Sequence, residues 1–167
     1  MALVSSTGLD GRGTGSTRGL PWLYRALRGP GSAWDGALFR GLTRPGVIRY
    51  FLERTWGGRN IDEELWRYDV LTTRQAGAEF APLHFLSAGL FSADIHTLYE
   101  QLAMPVWMCH GDRGDFTNYC GKVIVEDRSN WQFSVFPAGA LPYFELPERF
   151  SVRYDAFLAA AKAGTGG

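Results

Sequence analysis

Cysteine is scarce in this 167-residue chain. Only Cys109 and Cys120 are present, too few for the disulfide framework that small secreted domains use. Reduced thiols and a cytoplasmic location are the expectation. An excess of one charge is also missing, since 17 Lys and Arg balance 17 Asp and Glu. No basic cluster breaks that balance locally, so no field draws in a phosphate backbone or an anionic lipid surface. Nucleic acid is not an expected partner. Long apolar runs are absent too: nothing approaches the ~18 residues of a membrane span. Residues 1–6 lack the basic region and apolar stretch of a secretory signal, so neither membrane association nor secretion is expected. Phosphate-binding loops are wanting as well, because neither GxGxxG nor GxxxxGK[ST] can be laid onto Gly8, Gly11, Gly13, Gly15 and Gly19. No cofactor is expected.

What the chain does hold is material for a core. Hydrophobic residues make up 46% of it, with six Trp, seven Tyr and eleven Phe. At this length one domain around one core is the first expectation. Along the chain, five parts separate. Residues 1–5 read as a core strand and 6–19 as a Gly-rich loop. Residues 20–102 are helical in pattern, 103–163 form a C-terminal core of two strands and a final helix, and 164–167 form a frayed tail.

Within the helical part, a helix opens near Thr43 with Pro45 in its first turn and sets Val47, Ile48, Phe51 and Leu52 on one face. Gly57 and Gly58 stop it. The next takes Asn60 as cap with Glu63 three residues on, and Ile61, Leu65, Tyr68 and Leu71 as its stripe. Phe80 to Phe91 reads as a buried helix. Ser92 caps another, with Ile95, Leu98, Tyr99 and Leu102 facing inward.

Beyond Leu102 the period changes. Pro105 to Cys109 is a compact apolar run, predicted as a strand buried on both faces. Trp131 to Phe136 is a second strand, with Trp131, Phe133 and Val135 on one side of the pleat. About twenty residues join the two, enough for the crossover of a parallel pair. Pro147 opens the last helix, whose Phe150, Tyr154, Phe157, Leu158 and Ala161 recur at helical spacing until Gly164. The fold class is α/β.

Two stretches carry a family likeness. PVWMCHGDRGDF (105–116) is an apolar strand running into Gly and then Asp, and GALPYFELPERF (139–150) places Gly, then Glu, then Pro-Glu before a last helix. Both resemble the C-terminal end of the α/β-hydrolase family, and ALVSSTG (2–8) is similar to the strand preceding that family's helical cap. The resemblance implies the C-terminal part of an α/β-hydrolase fold: a short parallel sheet of about three strands with residues 20–102 as an inserted cap. It also implies hydrolysis of an ester or related bond in a small apolar substrate, by a nucleophile on a strand-to-helix elbow, an acid and a histidine, in that chain order.

On that resemblance the acid is Asp115, four residues past Gly111, with Asp112 as the alternative; as plain residues both suit a turn. The nucleophile is missing, since no serine has the flanking glycines of G-x-S-x-G. In the family's Gly-His position stand Gly139 and Ala140, and Ala140 cannot carry a proton. His110, His84 and His96 are the other imidazoles, each more simply read as structural.

Triad catalysis by this chain is therefore not expected, and two alternatives stand beside hydrolysis. One is a non-catalytic protein that binds a small molecule or a partner, with self-association through the open edge of the first strand. The other is that Met1 is an internal residue of a longer chain. Cys109, His110, Asp112, Asp115 and Cys120 are metal-ligand types, but adjacent strand residues leave on opposite faces, and no metal site is expected. The aromatic residues of 20–102 either line an apolar pocket or pack as core.

Overall fold

The computed structural model describes residues 1–6, 8–9, 21–28, 37–87, 92, 94–115 and 117–164. In chain order the elements are β1 (Ala2–Val4), α1 (Pro21–Arg28), α2 (Ala37–Leu42), α3 (Pro45–Trp56), α4 (Glu63–Thr72), α5 (Phe80–Leu86), α6 (Ile95–Gln101), β2 (Val106–Gly111), β3 (Trp131–Phe136), α7 (Pro142–Glu145) and α8 (Pro147–Ala163). They fall into two compact units rather than one. A sheet unit comprises Met1–Thr14, Thr55–Gly58 and Asp94–Gly167, and a helical unit comprises Gly15–Arg54 and Arg59–Ala93.

In the sheet unit the three strands are parallel, in the order β1-β2-β3. Leu3 pairs with Met108 and Val4 with Cys109, while Met108 pairs with Phe133 and Gly111 with Phe136. β2 is central and every one of its residues is buried, as its unbroken apolar run requires. The period of two then sorts its side chains onto two faces. Val106 and Met108 pack with Leu9, Tyr99, Tyr119, Val125 and Trp131, and Ile95 and Leu102 at the two ends of α6 close this layer. Trp107 and Cys109 go the other way, onto Phe136, Ala138 and Phe157. There α8 lays Phe150, Tyr154, Phe157, Leu158 and Ala161 along the sheet. Trp107 is the centre of that layer, its ring 5.4 Å from Phe150, 5.9 Å from Tyr154 and 6.2 Å from Phe157. Its indole N–H, which burial would otherwise leave costly, donates to Ser134 Oγ at 3.0 Å.

The connection from β2 to β3 holds a single 3-10 turn, Cys120–Ile124. Asn130 closes it below the sheet by donating from its side-chain amide to the carbonyls of Leu102 and Met104. On β3, Trp131 and Phe133 stack on one face. Val135, expected beside them, is 53% exposed near the C-terminal end of β3.

α3 starts at Pro45 as its sequence requires; Leu52 in the helical unit and Trp56 at its end are its buried apolar residues, whereas Phe51 is exposed. The next helix is capped differently from expectation. Asp62, not Asn60, is the N-cap, its carboxylate accepting from Leu65 N at 2.7 Å, so α4 begins at Glu63 with two acidic residues in the first turn, where the helix dipole favours them. The stripe expected on α4 is covered only at its start: Ile61, which precedes the helix, is buried, Leu65 is half-buried, and Tyr68 and Leu71 are exposed. α5 ends at Leu86, and the remainder of the expected helix to Phe91 lies outside the described residues, as does most of the Gly-rich loop.

Candidate functional site at the C-terminal end of the sheet

In a parallel sheet the loops leaving the C-terminal ends of the strands converge, and that is where such folds place ligands. Here the loops after β1, β2 and β3 meet one another and the end of α3. Ser5 leaves β1 with φ of 45°, a left-handed conformation uncommon for a residue with a side chain. It is held from both ends: Ser5 N donates to Cys109 O at 2.9 Å, and Ser5 Oγ donates to Ala140 O at 2.6 Å. Ala140 is fixed on its other side by its own N–H, which donates to Thr55 O at 2.9 Å.

Between the β2 and β3 loops the approach is close enough to demand glycine. A Cβ on Gly111 would run into the carbonyl oxygens of Ala138 and Gly139, and one on Gly139 would lie 2.6 Å from the Trp56 Cα. The two backbones are stitched directly: Asp112 N donates to Phe136 O at 3.1 Å and to Ala138 O at 3.0 Å, and Arg113 N donates to Ala138 O at 3.0 Å. Glu145, at the end of α7, completes the join. Its carboxylate accepts from Gly139 N at 2.5 Å and pairs with the Arg113 guanidinium. With one acceptor Glu145 thus fixes the turn that precedes Ala140 and the turn that carries Asp112, and charge on both partners strengthens the hold.

The expected site residues sit on this platform as follows. Asp112 and Asp115 are both on the loop after β2, and both are exposed. Ala140 is buried on the neighbouring loop and presents only a methyl group. His110 is the last residue but one of β2 and is 6% exposed. Its Nδ1 donates to Gly111 O at 2.7 Å, which fixes the neutral tautomer with the lone pair on Nε2, and among the described residues that Nε2 has no hydrogen-bond partner. The ring lies on Tyr119, centroids 4.4 Å apart. Burial pushes its pKa down; the bond to Gly111 and the charge of Asp112 raise it, and Lys122 lowers it further. His110 is a neutral acceptor turned inward rather than a base offered to solvent.

Cys109 points to the opposite face among the α8 contacts, where burial raises its thiol pKa to about 12. The two neighbours cannot share an ion, and among the described residues no group of three His, Cys, Asp or Glu side chains is placed to hold one. The other imidazoles lie elsewhere: His84 stacks on Tyr24 at 4.4 Å in the helical unit, and His96 is in α6.

Sequence reasoning named no role for Ser5, Arg113 or Glu145. A serine directly after an apolar strand and a glutamate five residues past Ala140 were the visible signals, but their partners lie 135 and 32 residues away in the chain. Chemically the platform offers two exposed carboxylates, Asp112 and Asp115, beside a turn at which Ala140 presents no titratable group. No family model matches this chain, and no curated protein matches it.

Proposed function

We propose that the chain is the C-terminal part of an α/β-hydrolase-like protein, with the helical unit as its cap and Asp115, or alternatively Asp112, in the position of the triad acid. The observation that carries this reading is topological. A parallel β1-β2-β3 sheet takes its long helical insertion between β1 and β2, and the turn with Asp112 is bonded to the turn that leads to Ala140. Those are the two loops from which such a fold supplies its acid and its histidine. The associated chemistry is hydrolysis of an ester or related bond in a small apolar substrate. Ala140 removes the group that accepts and returns the proton, so the chain by itself does not turn over an ester.

The test is hydrolysis of a panel of p-nitrophenyl esters by the purified chain and by Ala140→His, each first checked for cooperative unfolding. Silence from the parent chain is the expected result. Turnover by the folded parent, lost in Asp115→Ala, would overturn the inactive reading; turnover lost instead in His110→Ala would move the base to His110.

A second reading, a non-catalytic binding protein, is favoured by the aromatic surface of the helical unit. There Trp22, Phe51, Tyr68 and Phe85 are each at least half exposed, and aromatic side chains of this kind supply most of the contact in apolar ligand sites. Saturable binding of an apolar fluorescent probe, quenched by Trp22→Ala or Tyr68→Ala with folding intact, supports it. Non-saturable uptake unaffected by either change would remove it.

A further inference from the structure

We propose that His110 is an acid-sensitive latch, which holds the segment from Tyr119 to Val125 on the sheet only while its imidazole is neutral. The inference does not depend on the hydrolase-like reading. It rests on the surroundings of one buried ring.

His110 is committed on one nitrogen and orphaned on the other. With Nδ1–H bonded to Gly111 O and Nε2 without a partner among the described residues, the neutral ring leaves one acceptor lone pair unused, a penalty smaller than that of a buried charge. Protonation changes the account. It creates an N–H donor and a positive charge in a place that offers Nε2 no acceptor, and a buried unpaired charge is far more costly than a buried lone pair.

The segment covering the ring adds to that cost. Tyr119 lies against the imidazole and opens the 3-10 turn that carries Lys122, whose ammonium is held 5.8 Å from the centre of the Phe133 ring. Lys122 opposes a charge on His110 and Asp112 favours it, the lysine more strongly. Among the described residues these are the two charges that act on the ring, which lies against the Tyr119 ring; the bond to Gly111 favours the charged form, but burial outweighs it. Acid therefore places like charges across the contact between β2 and the turn, and lifting the turn relieves the strain by letting water reach Nε2.

The sign follows from linkage. A histidine whose folded pKa lies below its unfolded value binds more protons when the structure opens, so the closed segment is favoured above the ordinary histidine range of about 6.5 and loses ground as pH falls below it.

The experiment is amide hydrogen exchange on the whole chain at about pH 7.5 and about pH 5.5, corrected for intrinsic rates, in the parent and in His110→Phe, which keeps an aromatic ring on Tyr119 and cannot titrate. In the parent, protection of residues 119–125 falls several-fold at the lower pH while α8 keeps its own. In His110→Phe the fall is absent. Equal loss in both proteins, or none in the parent, overturns the latch. Should the variant fail to fold, imidazole NMR of the parent decides: a neutral Nδ1–H tautomer near pH 7.5, protonating together with the loss of protection, supports it. An Nε2–H tautomer, or protonation with no change in residues 119–125, overturns it.

Discussion

The sheet unit and the helical unit are built from similarly apolar sequence but use it differently. In the sheet unit the large side chains face each other across β2, so that Trp107, Met108 and Val106 are almost wholly shielded. In the helical unit Leu52, Ile61 and Leu83 are the buried apolar residues among those described, while Trp22, Tyr50, Phe51, Tyr68, Leu71 and Phe85 are at least half exposed. What holds that unit is largely local or superficial: the Asp62 cap on α4, the Arg49 guanidinium between Glu53 and Glu63 and over the Trp66 ring, and the Trp66 indole N–H on Pro45 O at 3.0 Å. A two-sided sheet turns apolar composition into burial because each residue has a fixed face and a fixed neighbour. Short helices broken by glycine define a face without supplying what covers it.

The contrast is open to attack at three points. Phe157→Ala removes the α8 side chain that stacks on Trp107 in a closed layer, and a cost of about 3–5 kcal/mol is expected for such a cavity, read as a shift in the urea midpoint. The same change should expose Cys109. With its thiol pKa at about 12, iodoacetamide in the parent protein should modify the exposed Cys120 and leave Cys109 untouched until the sheet unit opens. Mass spectrometry of the alkylated chain distinguishes one adduct from two. Labelling of Cys109 at the rate of Cys120 would mean that the layer under α8 is not closed.

A smaller effect is expected in the helical unit. Asp62→Ala deprives Leu65 N of its acceptor and should cost about 1 kcal/mol, seen as faster amide exchange through the first turn of α4 and not in β2. Smallest of all is Arg49→Met. Its ion pairs with Glu53 and Glu63 are solvent-exposed, and such pairs contribute little and weaken with salt. Near-identical melting of parent and variant in high salt is the expected outcome; a large loss would show that the surface network, not the few buried leucines, holds this unit.

How far each part was legible follows from the range of the interactions that decide it. β2 and β3 were readable because a buried strand writes its environment into consecutive residues, and α8 because Pro147 and the stripe from Phe150 to Ala161 mark its start and its face. The cap of α4 was misassigned by two residues, since Asn60 and Asp62 are both good capping types; what separates them is that only Asp62 reaches Leu65 N. The stripe on α4 has the helical period, but a period states which face is apolar and not whether another element lies on it.

At the candidate site, Ala140 and the two aspartates stood out by position. The Ser5 to Ala140 and Glu145 to Gly139 and Arg113 bonds did not, because nothing in a local window names a partner in another loop. His110 could be found as a residue but not as a neutral, inward acceptor; that needs Gly111 O, Tyr119 and Lys122 around it.

The placement of β1 also has a consequence in time. Among the described strands its partner is β2, and the register begins at Trp107, so β1 leaves the ribosome about a hundred residues ahead of that partner. At roughly 5–20 residues per second, Ala2, Leu3 and Val4 wait on the order of 5–20 s for their β2 partners, while the helical unit is made in between. The sheet is thus closed by the last third of the chain, and the Ser5 hydroxyl can be tied down only once Ala140 has been added. Pairing of the described strands therefore waits until residues 106–111 and 131–136 have followed the helical unit out of the ribosome.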